Sequence, residues 1–61
     1  MITINQYYSE FKKDAIMISE DKEVNLRSEV WHKPGQTCRF TFESSESKPE
    51  SLLSISKIYN E

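Results

Sequence analysis

The sequence predicts a small α+β domain: an N-terminal helix packed on a two- or three-stranded antiparallel sheet, with a C-terminal helix or strand. Three observations predict it. A capped amphipathic pattern opens the chain, an alternating apolar–polar pattern flanks a Pro-Gly pair, and helical spacing returns after a serine-rich linker. At 61 residues the chain reads as a single domain, 1–61. A domain of this size buries only about 60% of the surface its unfolded chain exposes, so its stability is marginal.

The first element has complete start signals. Thr3 stands where a cap belongs, and Gln6, three residues later, completes a capping box. Ile2 and Tyr7 have the spacing of a hydrophobic staple. Ile4, Tyr7, Tyr8, Phe11 and Ala15 recur at helical intervals, while Asn5, Gln6, Ser9, Glu10, Lys12 and Lys13 fill the other side. A helix is expected over residues 4–14. Adjacent Tyr7 and Tyr8 cannot both point fully inward, so one hydroxyl should reach solvent or a partner.

Residues 15–18 fit either the end of that helix or a short strand. The β-branched Ile16 and Ile18 favour the strand, followed by a turn at Ser19–Lys22. A third strand would also help the hairpin, because an isolated strand pair is only marginally stable in water.

The centre of the chain, Glu23 to Glu43, reads as that hairpin. It contains the only Trp, His, Cys and Gly and both Arg residues. Val24, Leu26 and Val30 alternate along one strand, and Cys38, Phe40 and Phe42 along the other. Placing all six on one buried face requires paired residue numbers with an even sum. A symmetric two-residue loop at Pro34-Gly35 gives an odd sum and sets charged residues beside the aromatic ones. Burial therefore predicts a three-residue loop or a bulge with Gly35 at positive φ, and Trp31 facing away from these six, where the N- or C-terminal helix is expected to cover it unless it serves as a contact.

The last segment follows the polar linker 44–48. Ser47 and Glu50 have capping-box spacing, Pro49 fits a first helical turn, and Leu52, Ile55, Ile58 and Tyr59 recur at helical intervals. Leu53, Ile55 and Tyr59 also fit a strand, but the helix is the favoured reading.

Ten acidic and eight basic residues give a net charge of −2, which selects no partner by itself. A nucleic-acid binder is more often clearly basic. No basic start followed by an apolar run marks a secretory leader, and no stretch approaches membrane-spanning length. A single unpaired Cys suits a reducing compartment, so the expected location is the cytoplasm, that of the host if the chain is viral. The abundance of Lys, Ile, Asn, Ser and Glu fits an AT-rich bacterial or viral genome.

Catalysis is not expected. His32 and Cys38 lie near each other along the hairpin but on opposite expected faces, without the orienting group a thiolate nucleophile needs. One Cys and one His supply no zinc set, so no metal, cofactor or small-molecule substrate is expected. What remains is a non-enzymatic protein acting by contact with another protein, as an inhibitor, adaptor or regulatory subunit. Its contact residues are expected among Trp31, His32, Lys33, Arg27, Arg39, Glu20 and Asp21. Pairing of sheet edges would make it a homodimer and relieve the small core. The alternative is a nucleic-acid-associated regulator using the Trp31–Gly35 tip.

Overall fold

The computed structural model describes residues 2–60. One helix, α1 (Ile4–Lys13), precedes four strands: β1 (Ile16–Lys22), β2 (Leu26–Lys33), β3 (Gln36–Ser45) and β4 (Lys48–Asn60). The strands form one antiparallel sheet in the order β1-β2-β3-β4. The architecture is therefore mostly β, with a single short helix. This corrects the expected α+β domain with two or three strands and a C-terminal helix.

α1 forms where its local signals place it. Thr3 Oγ1 accepts from the Gln6 backbone N–H at 3.1 Å, and Gln6 Oε1 accepts from the Thr3 backbone N–H at 2.8 Å. Each bond satisfies a donor that the first helical turn leaves unpaired. Lys12 and Lys13 occupy the last turn, where positive charge complements the helix dipole.

β1 is a strand, but it continues through Lys22, so the expected turn at Ser19–Lys22 is not there. The chain reverses later, over residues 23–25. Val24, expected in the core, lies in the β1–β2 connection and is 92% exposed.

The hairpin register differs from the expected one. Lys33 pairs with Gln36 across a two-residue Pro34-Gly35 loop, and Trp31 pairs with Cys38, Glu29 with Phe40 and Arg27 with Phe42. Gly35 does take positive φ, at 86°. A proline followed by such a glycine suits a tight two-residue turn of type II. Ladder partners project to the same side of the sheet. Trp31, Glu29 and Arg27 thus share a face with Cys38, Phe40 and Phe42, while Leu26 and Val30 lie on the other. Of the six residues expected to form one core, five are divided between two faces and Val24 lies outside the strands.

The core sits between α1 and the Trp31 side of the sheet. Phe40 and Cys38 are both 0% exposed, and Phe11 and Phe42 are buried with them. Tyr8 meets Phe40 edge-on at 4.9 Å and Phe42 at 5.1 Å, and Phe11 meets Phe40 at 5.5 Å between ring centroids. Edge-to-face pairs of this kind contribute about 0.5–1.5 kcal/mol each beyond the area they bury. Trp31, Leu52 and Ile55 pack around them.

β4 replaces the expected C-terminal helix. Its serines are poor helix formers, and β3 would otherwise leave a row of backbone groups unpaired next to the core. Phe40 pairs with Ile55 and Phe42 with Leu52, which brings both aliphatic side chains to the covered face. β4 holds one more residue than β3 requires at each of three register shifts. Leu53 and Ile58 fall at two of them and remain exposed.

Candidate interaction surface

The covered face carries charge inside it. Glu29 is 7% exposed and accepts from three donors: Tyr8 Oη at 2.6 Å, Trp31 Nε1 at 2.8 Å and the Arg27 guanidinium. Arg27 also bonds Glu20 of β1 at 2.8 Å, and its Nε donates to Glu50 of β4 at 2.7 Å. Ser44 donates a further bond to Glu50 at 3.0 Å. One guanidinium thereby joins β1, β2 and β4 through carboxylates on all three strands. Its planar fork of donors suits this task in a way a lysine ammonium does not. The Arg27 charge lies 4.6 Å above the Phe42 ring.

The protonation states follow from these contacts. Hydrogen bonds from Arg27, with smaller help from Ser44, bring Glu50 down to about 2. Burial pushes the Glu29 carboxyl up, but the bonds from Arg27, Tyr8 and Trp31 together outweigh it and leave the group below its usual value. Burial, then the bond to the Glu29 carboxylate, raises the Tyr8 phenol well above its usual range. Glu50, Glu29 and Tyr8 are thus each held in the state their neighbours require. Among the described residues no buried side-chain nitrogen or oxygen lacks a partner.

The opposite face has no helix over it. It presents Leu26, Ser28, Val30 and His32 of β2 beside Thr37, Arg39, Thr41 and Glu43 of β3, with Ser54 and Ser56 on β4. Among the residues whose burial is described, Val30, paired with Ser19 and Arg39, is the one buried apolar residue there. A shallow depression of about 270 Å³ opens on this side, lined by Asp21, Glu23, Leu26, Arg27, Ser28, Arg39 and Thr41. Arg39 is exposed, and among the described residues no carboxylate forms an ion pair with it.

The seven residues expected to bind a partner do not form one site. Arg27 and Glu20 join the internal ion network. Trp31 is half-buried, with its indole N–H given to Glu29; it packs with α1 as expected of a Trp covered by the chain's own helix, but on the Cys38 side of the sheet and not opposite it. Lys33 lies 4.5 Å over the Phe11 ring. His32 Nδ1 is 2.8 Å from Thr37 Oγ1 on the bare face. Arg39 and Asp21 come together at the depression, which Arg27 also lines. His32 and Cys38 lie on opposite sides of the sheet.

Sequence reasoning missed Glu29 and Glu50 as partners of Arg27, and Tyr8 as a donor to Glu29. Glu50 stands 23 positions from Arg27, and Tyr8 stands 21 from Glu29, so no local spacing relates them. A usable signal was the strict alternation Arg27-x-Glu29-x-Trp31, which puts three hydrogen-bonding side chains on one strand face.

Among the described residues no helix is long and apolar enough to cross a membrane, and no His, Cys, Asp and Glu cluster could hold a metal ion. No protein-family model, curated protein or solved structure matches the chain.

Proposed function

We infer that the chain is a small non-enzymatic protein that acts by contact with another protein, as an inhibitor, adaptor or regulatory subunit. The supporting observation is an asymmetry of the sheet. The polar groups under α1 are consumed by one another, whereas the bare face keeps Arg39, without an ion pair among the described residues, beside exposed Leu26, Asp21 and a row of hydroxyls. Apolar area with a few oriented polar groups is what a protein interface uses. The nucleic-acid alternative has less support, because the indole N–H of Trp31 and the Lys33 ammonium at its tip are already engaged.

The test is affinity capture from the source cell with three baits: the native chain, Arg39→Glu and Lys13→Glu. Lys13 lies on the outer surface of α1, with an exposed side chain. A partner retained by Lys13→Glu and lost by Arg39→Glu is the expected result. Equal capture by both variants would remove the bare face from the reading. Binding of random oligonucleotides that falls steeply between low and moderate salt would favour the nucleic-acid reading instead.

A further inference from the structure

The two free edges of the sheet are built differently. The outer strand β4 carries Lys48, Pro49 and Lys57 and three extra residues that disturb its pairing. These are features that discourage another strand from adding to an edge. β1 has a single register shift, between Met17 and Ser19, and all seven of its residues are exposed. Its first half is Ile16, Met17 and Ile18, with Ile16 66% exposed. Its second half and the residue after it, Glu20, Asp21, Lys22 and Glu23, hold three carboxylates and one ammonium. Neither proline nor lysine guards residues 16–21.

A second copy of the chain fits this edge poorly. Setting apolar against apolar in an antiparallel pair centres it on Met17. Residues 12–15 of each copy would then run beside Ser19–Lys22 of the other. Those residues form the last turn and cap of α1, which offer no strand to pair, and Asp14 would oppose Glu20. Pairing the whole of β1 with itself instead sets Met17 against Asp21 and Ile18 against Glu20. The edge therefore asks for a strand of different sequence.

We propose that the free edge of β1 takes up an extended segment of the partner protein as a fifth, antiparallel strand, basic opposite Glu20–Glu23 and apolar opposite Ile16–Ile18. Backbone hydrogen bonds to the edge hold such a segment, and the side chains opposite its two halves select it. The proposal rests on the protein-contact reading above and adds to the bare face a second place of contact, the sheet edge, with its chemistry.

The probe is the capped octapeptide Lys-Thr-Lys-Thr-Val-Thr-Val-Thr, titrated to millimolar concentration into ¹⁵N-labelled protein. The expected result is amide shifts concentrated over residues 16–22, with slower hydrogen exchange there. Exchanging the peptide's lysines for glutamates should weaken binding about fivefold or more, since each cross-strand charge pair contributes up to about 1 kcal/mol. Methylating alternate peptide amides on the edge-facing side should abolish it. Ile18→Lys, at an exposed position, should weaken binding without changing the circular dichroism spectrum. No shift at millimolar peptide, shifts centred on α1 or β4, or equal binding of the methylated peptide would overturn the proposal. So would shifts in β1 that appear only as the chain self-associates. If a captured partner is lost by Arg39→Glu but unaffected by Ile18→Lys, the protein-contact reading stands and the edge proposal falls.

Discussion

The two faces of the sheet come from the same alternating residues of β2 and β3, and they differ in what the other side supplies. Under α1, Arg27, Glu29 and Trp31 meet aromatic rings and donors from the helix, so even a carboxylate can be buried with all its bonds made. On the bare face, Leu26 and Arg39 meet only their ladder neighbours and remain open to solvent. A charge inside is tolerable when its partners are already in place, whereas a lone aliphatic residue on a flat face gains little. The first face is where stability should reside, and the second is where change should be tolerated.

The largest expected effect tests the aromatic core. Phe40→Ala should cost about 3–5 kcal/mol. A chain of this length has roughly 3–9 kcal/mol in total. The variant should therefore be largely unfolded by circular dichroism, and a cooperative native-like melt would show that the core lies elsewhere.

Next is the ion network. Arg27→Leu should cost about 3–5 kcal/mol, because it leaves Glu29 buried without its cation. The double variant Arg27→Leu/Glu29→Leu should be more stable than Arg27→Leu alone in urea titrations. If the single variant loses less than about 1 kcal/mol, the network is no more than a surface ion pair.

Acid should act through the same groups. Glu50 in the fold titrates at about 2, below the value of about 4.3 expected for an unfolded glutamate. The unfolded chain therefore binds the proton first as pH falls. The stability that Glu50 contributes is complete above about pH 5 and is lost progressively toward pH 2. Glu29, also lowered, acts in the same direction. Denaturation midpoints measured across that window should fall more steeply for the native chain than for Glu50→Gln.

Tyr8→Phe removes one donor from Glu29 but keeps the ring contacts with Phe40 and Phe42. A loss of about 1.5–3 kcal/mol is expected from chemical denaturation, as for a hydrogen bond to a charged group. The smallest effect belongs to the bare face. Arg39→Glu or Ser54→Ala should move stability by no more than about 0.5 kcal/mol. A larger loss would mean that this face is part of the folded core.

How far the fold could be read in advance depended on the range of the interactions involved. The capping box of Thr3 and Gln6 acts within one helical turn, and the helix begins where it indicates. The Pro34-Gly35 pair marks a turn that the chain does make. Choosing the hairpin register by counting apolar residues failed. That count treated Arg27 and Glu29 as charges to be kept out, although each neutralises the other and Tyr8 and Trp31 supply the remaining bonds. The same count undervalued Trp31, whose ring contributes more to a small core than Val30 does. At the C-terminus, serines and branched residues at both periodicities left helix and strand open, and the unpaired edge of β3 decided between them. The candidate surface was legible in Arg39, Asp21 and Arg27, which line that depression, whereas Trp31, His32, Lys33 and Glu20 do not.

The amino-acid sequence alone determined where the helix begins, where the chain reverses between β2 and β3, and which aromatic residues a core would draw on. These depend on groups a few positions apart, whose geometry the backbone sets directly. Only the tertiary structure decided which face of the sheet is covered, that the last segment is a strand, and that Glu29 lies inside. Those outcomes require contacts between residues more than twenty positions apart, such as Tyr8 with Glu29 and Arg27 with Glu50. A buried charge becomes stable only when such distant partners arrive together, and no local pattern records their arrival.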